Sequence, residues 1–135
     1  MTSKFAGLSL EAEQPRRMTI LHPATRQPLP NAWIDLHPSW GQRARDHERA
    51  VLDRRLAEPS VKPTSALIEE QSSARLAALT SAWSLTTLDG KPLDVACTPD
   101  NARALYAEPG MAWLRAQVIE FIDAPGNWLP GNAKA

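Results

Sequence analysis

The sequence predicts an α+β fold: a small N-terminal β-ribbon followed by a mainly helical domain with a short hairpin or loop. Three observations predict it. Two short apolar runs, Met18-Thr19-Ile20-Leu21 and Ala32-Trp33-Ile34-Asp35-Leu36, flank turn-forming residues from His22-Pro23 to Pro30-Asn31, the pattern of an antiparallel pair. Beyond them apolar residues recur at helical spacing, first as Leu76, Leu79 and Trp83, then as Met111, Leu114, Val118, Phe121 and Ile122. Between those stripes lie a tight turn at Asp89-Gly90 and a helix start at Thr98-Pro99.

Each element has its own local warrant. Residues 1–17 carry only a weak alternation of Phe5, Leu8 and Leu10 and read as a flexible arm. The two strands follow, and an ordered sheet of four or more strands would defeat this reading of the fold. Ser39 is the candidate N-cap of a helix over 40–56, with Trp40, Ala44, His47, Val51 and Leu52 near one face. The stretch from Glu58-Pro59 to Pro63-Thr64 stops that helix and forms a stiff linker. Thr64 or Ser65 then caps a long helix to about residue 83, polar nearly all round in its first half. Leu85-Thr86-Thr87-Leu88 and Leu93-Asp94-Val95 flank Asp89-Gly90 as a minimal hairpin or an ordered loop. Thr98 as N-cap and Pro99 at the first helical position open a short helix to residue 106. Glu108-Pro109-Gly110 separates it from a last helix over 111–121, and residues 125–135 read as a flexible tail anchored at Trp128-Leu129. The domain itself spans 18–124.

Composition narrows the function classes. The 135 residues fit one domain, and fifteen basic residues balance fifteen acidic ones, so bulk charge favours neither nucleic acid nor a membrane surface. Cys97 is the one cysteine, which rules out an intrachain disulfide and suits a reducing compartment. No window approaches the ~20 apolar residues of a membrane span, and the first residues turn acidic too early for a signal peptide. The expected setting is the cytoplasm.

Catalytic signals are absent. His22, His37 and His47 show no metal-ligand spacing among themselves, and the glycines fit no dinucleotide or phosphate loop. Cys97 precedes a helix N-terminus, where a thiolate gains from the dipole, but Val95-Ala96-Cys97 reads better as a thiol packed like a small hydrophobe. No enzyme activity, cofactor or metal is expected.

Two features point to protein binding instead. Arg43, Arg45, Arg49, Arg54 and Arg55 crowd one helix, interleaved with Asp46, Glu48 and Asp53. The first reading is a solvated face with surface pairs such as Arg45–Glu48, the second an acidic protein partner, the last nucleic acid. Five of the eight aromatic residues are tryptophan, a frequent interface anchor. Trp33 and Trp83 read as core, while Trp40 and Trp128 stand beside turn residues. The last helix carries a stripe wider than docking on a small core requires. The candidate partner-binding set is therefore Trp40, Tyr106, Trp113, Leu114, Val118, Phe121 and Trp128. The alternative, that the whole stripe is internal core, stays open.

The run Met18-Thr19-Ile20-Leu21-His22-Pro23-Ala24-Thr25-Arg26-Gln27-Pro28-Leu29 resembles the opening of tail assembly chaperones of long-tailed, siphovirus-type phages and prophages. So does the later order of Trp83, Leu88-Asp89-Gly90, Thr98-Pro99-Asp100-Asn101-Ala102, Leu105-Tyr106, Pro109 and Leu114-Arg115-Ala116-Gln117-Val118 with Phe121. Arg26 stands where that family commonly has glycine. The resemblance covers roughly residues 18–128 and implies a non-enzymatic factor in the bacterial host cytoplasm. Such a factor would bind the tape measure protein and help recruit tail tube subunits, with self-association allowed. A minor structural tail protein retained in the virion is the alternative in the same biology, and a nucleic-acid-binding adaptor using the arginine helix is the alternative outside it.

Overall fold

The computed structural model describes residues 4, 5, 8, 10 and 14–129. Strand β1 (Arg16–Leu21) and strand β2 (Pro28–Leu36) pair antiparallel with Met18 opposite Ile34 and Thr19 opposite Trp33. The turn between them is closed by His22, whose N–H donates to the Gln27 carbonyl and whose Nδ1 accepts from the Ala24 and Thr25 amides. Arg26 sits there at φ 60° and Asn31, within β2, at φ 61°. Both are left-handed positions, which asparagine tolerates and glycine adopts most readily.

The ribbon is only half of the sheet. Strand β3 (Thr80–Thr86) pairs antiparallel with β2, placing Trp83 opposite Ile34, and strand β4 (Pro92–Leu93) pairs with β3. The order is β1-β2-β3-β4. The α+β class stands, but the expected two-stranded ribbon and the long helix over 65–83 are corrected together. Helix α2 (Ser65–Ala78) ends at Leu79, and Trp83 belongs to a strand. From Thr80 the sequence is rich in Ser and Thr, which favour extended backbone over helix interiors. The free edge of β2 supplies a backbone ladder that a further turn of helix would leave unpaired.

Beyond β3 the turn follows its residues. Gly90 adopts φ 90°, the Thr87 N–H donates to the Lys91 carbonyl, and Leu85 lies opposite Leu93. The minimal hairpin expected at Asp89-Gly90 is present. Helix α3 (Pro99–Ala107) starts as the sequence indicates, with the Thr98 hydroxyl accepting from the Asn101 amide at 3.1 Å. Arg115 closes its other end by donating to the Tyr106 and Glu108 carbonyls. A 3-10 turn (Pro109–Met111) leads into helix α4 (Ala112–Asp123), and a second one (Pro125–Trp128) ends the described chain.

Helix α1 (Gln42–Ala57) begins two residues later than Ser39 would place it. Gly41 is the N-cap and offers no side chain. Ser39 instead donates its backbone N–H to the Ile122 carbonyl, tying the entry of α1 to the end of α4.

The core lies between one sheet face and the helices. Met18, Ile20, Leu29, Ala32, Ile34 and Leu36 of the sheet are buried with Leu76, Leu79, Ala102, Tyr106, Leu114, Val118, Ile122 and Trp128. The opposite sheet face carries Arg17, Thr19, Trp33, Asp35 and Ser84. On it the Arg17 guanidinium stacks 3.5 Å from the Trp33 ring centroid and donates to both Asp35 oxygens. Two buried polar devices join the layers. The Gln117 side chain accepts from the Leu21 N–H at 3.0 Å and donates to the Leu21 carbonyl at 2.8 Å. Thr80 donates its hydroxyl to the Leu76 carbonyl, which leaves Tyr106 as donor in the 2.7 Å bond between the two hydroxyls.

Tyr106 is the only tyrosine in the sequence. Burial pushes its phenol up to about 12, against a smaller opposing effect of the Thr80 hydrogen bond. Absorbance titration of the folded protein should show no phenolate near the ordinary ~10. The folded-state value lies above the unfolded one, so the stability from this group is complete below ~10 and drains away as pH rises toward 12. A normal phenolate titration in folded protein would contradict the buried placement.

The ordered body reaches further toward both termini than the expected span 18–124. Arg16 and Arg17 lie within β1, and the Trp40 indole N–H donates to the Leu10 carbonyl at 2.8 Å. Trp128 is buried, so residues 125–128 belong to the packed body. The rest of the arm (1–3, 6, 7, 9 and 11–13) and of the tail (130–135) lies outside the described residues.

Candidate functional site

Helices α1 and α2 form a hairpin inserted between β2 and β3 and anchored in the core by Ala44 and Leu76. Among the described residues of α1 only Ala44 is buried, and the helix is polar around most of its circumference. Along one side, Arg43, His47, Val51, Arg54 and Arg55 recur at helical spacing and face Leu67, Gln71, Ala74, Ala77 and Ala78 of α2 across an open groove of about 1040 Å³. The α3 entry, with Cys97, Pro99, Ala102 and Arg103, closes one end, and Glu58, Pro59, Val61 and Pro63 of the connection line the other. The Arg55 guanidinium bridges the helices by donating to Gln71 Oε1 at 3.2 Å.

Apolar surface collects at the hairpin. Leu52 is 53% exposed, Leu56 71%, Val61 55% and Ile68 56%, in a short stretch of chain where α1, the proline-stiffened connection and the start of α2 meet. Of these, Val61 and Ile68 line the groove, whereas Leu52 and Leu56 lie outside its lining; single exposed leucines are ordinary, and it is apolar surface within an open groove that suits an interaction site.

The arginines of α1 are not spent on their acidic neighbours. The two ion pairs found among the described residues, Arg17–Asp35 and Arg103–Asp100, involve none of them. The pairs expected from spacing, Arg45–Glu48, Asp46–Arg49 and Arg49–Asp53, do not form. Arg45 instead donates to the Trp40 carbonyl and to Gln42, while Asp46 accepts from Gln42. Arg43 sits 2.8 Å from His37 Nε2. This leaves a cationic rim on the groove, opposed chiefly by Glu58 and Glu70.

The histidines register that field. His47 is held below its ordinary range by burial first, then by Arg54 and Arg75, with Glu48 opposing; His37 is held down by burial and then Arg43. Depressed folded-state values mean that the unfolded chain takes up protons first as pH falls. Stability is therefore complete above ~6.5, the unfolded value, and falls as pH drops through the window beneath it. Urea titrations at stepwise lower pH should show this decline, and His47→Gln should reduce it. A midpoint that is flat or rising toward acid across that window would refute the placement of His47 among the arginines.

Cys97 lies half-buried at the groove end. Burial raises its thiol above the ordinary range, with the Asp35 carboxylate adding to the effect. The environment disfavours the thiolate, in keeping with the packed-thiol reading of the sequence. Among the described residues no group of three or more His, Cys, Asp and Glu is placed to hold a metal ion, and no helix is long and apolar enough to cross a membrane.

The structure places the partner-binding residues expected from sequence within the core or against it. Tyr106, Leu114, Val118 and Trp128 are buried in the core, and Trp40, Trp113 and Phe121 are half-buried against it. Trp128 meets the edges of Trp40 and Phe121 with ring centroids 5.4 and 5.2 Å away. The width of the α4 stripe is taken up by strand β1, helix α3, and the C-terminal turn that carries Trp128. Of the expected charged surface, Arg43, Arg54 and Arg55 line the groove, whereas Arg45 and Arg49 do not. The apolar groove residues Leu67, Ala74 and Ala77 were not singled out by sequence, and Val51 was placed on a helix face without a role in binding. Their signal was the apolar residues on both sides of Pro59 and Pro63, which read as a linker.

Compared with known proteins, the chain matches no family model, no curated protein and no solved structure.

Proposed function

We propose that the protein is a non-enzymatic assembly chaperone that holds a helical segment of a partner in the groove between α1 and α2. The observation that carries this reading is the groove itself, lined by apolar Val51, Leu67, Ala74 and Ala77, rimmed by Arg43, Arg54 and Arg55, and with exposed Val61 and Ile68 in its lining. A helix laid into such a groove buries its apolar face while the rest stays in water. The resemblance of the sequence to phage tail assembly chaperones supplies the partners: the tape measure protein as the held chain and tail tube subunits as those that displace it.

Co-expression tests it. The tape measure protein should remain soluble and co-purify with this chain, and Val51→Asp with Leu67→Asp should abolish co-purification while the far-ultraviolet spectrum is kept. A tape measure protein equally soluble with and without the chain would overturn the proposal. Retention in purified virions in stoichiometric amount would favour the structural-protein reading instead. The unpaired α1 arginines also keep the nucleic-acid reading in view; it requires duplex DNA affinity that falls steeply with salt.

A further inference from the structure

We infer that the segment held in the α1–α2 groove is an acidic amphipathic helix, recognised through Arg54, Arg55 and Arg43 on the rim. This rests on the proposed role of the groove, and it adds the chemistry of the occupant.

Charge supplies the first ground. None of the three arginines forms an ion pair with a carboxylate: Arg43 meets an imidazole, Arg55 a glutamine amide, and Arg54 lies beside His47. Arg43 and Arg55 each show one guanidinium nitrogen engaged by a neutral group, so their positive charge is not neutralised by a paired carboxylate. A guanidinium reads a carboxylate with paired hydrogen bonds that an ammonium or a neutral group does not match.

Shape supplies the second. The α2 wall offers Ala74, Ala77 and Ala78, small side chains that let another backbone come close. The groove runs beside α1, whose 16 residues span about 24 Å at the helical rise, room for a partner helix of four turns. Its volume of about 1040 Å³ lies at the upper end of what small-molecule pockets reach. The apolar floor disfavours a polyphosphate backbone, which offers no apolar face to it.

Two labelled helical peptides of about four turns test the inference by fluorescence anisotropy. Both carry leucine on one face, flanked by glutamate in one and by lysine in the other. The glutamate peptide should bind at least about tenfold more tightly at low salt and lose part of that advantage as salt rises. The exposed double substitution Arg54→Glu with Arg55→Glu should leave the circular dichroism unchanged and invert the preference. Equal affinity for both peptides, an unchanged preference in the double variant, or displacement of the glutamate peptide by duplex DNA would overturn the inference. If the tape measure protein co-purifies but the glutamate peptide is not preferred, only the acidic occupant falls. If the glutamate peptide binds as stated but the tape measure protein does not co-purify, the groove chemistry stands and the assembly role falls.

Discussion

Trp128→Ala should lower the unfolding free energy by about 3–5 kcal/mol, the usual range for deleting a buried aromatic side chain. Trp128 comes almost at the end of the described chain, in a region whose prolines and glycines suggest a loose tail. Its indole is nonetheless 3% exposed and wedged edge-on between Trp40 and Phe121. That triad links the entry of α1, the end of α4 and the C-terminal turn, so the deletion opens a cavity where three segments meet. Edge-to-face pairs add roughly 0.5–1.5 kcal/mol beyond area, and no neighbouring backbone is free to collapse into the space. A domain has only about 5–15 kcal/mol in total, so the urea midpoint should move by a large part of its value. Trp128→Phe, which keeps the apolar contact, should lose much less. A Trp128→Ala loss under about 1 kcal/mol would place this residue outside the core.

Gln117→Leu is the second large effect. Gln117 faces the edge strand β1 and serves both backbone groups of Leu21 with one amide. Leucine has similar bulk and leaves a buried donor and a buried acceptor without partners, each costing about 1–3 kcal/mol. Gln117→Glu separates hydrogen bonding from size. As a carboxylate it can accept from the Leu21 N–H but cannot donate to the Leu21 carbonyl; as a neutral acid it can do both. Burial and that carbonyl raise the folded-state value of the new acid above its unfolded ~4.3. Its contribution is then complete below the unfolded value and lost as pH rises through the folded one. The variant should therefore be weakest, relative to the parent, near neutral pH and recover in acid. A pH-independent difference would rule out the two-point clamp.

What the sequence revealed depended on whether the determining interactions were local. The α3 start was legible because Thr98 and Pro99 act within one turn of the residues they stabilise, and the Asp89-Gly90 hairpin because Gly90 alone fixes its backbone. Strand β3 was illegible for the opposite reason. Leu76, Leu79 and Trp83 continue a helical period, and only pairing with β2, far away in sequence, ends it. The same limit governed the site. A stripe on α4 is equally consistent with an interface and with a core until the extent of the sheet beneath it is known. The groove depends on the angle between two helices, which Pro59 and Pro63 interrupt but do not specify. The arginine cluster was legible as surface because charge without a partner stays at the surface wherever the helix packs.

The insertion of the α1–α2 hairpin between two adjacent strands has a kinetic consequence. β1 and β2 are joined by a short turn and can pair early, whereas β3 must find the far edge of β2 after residues 37–79 have been gathered in. Closing so long a loop is slow but depends weakly on its length, with each doubling costing only about 0.6 kcal/mol. The third strand therefore docks late, and the connection around Pro59 to Pro63 is where added residues would least disturb either the sheet or the rate at which it completes.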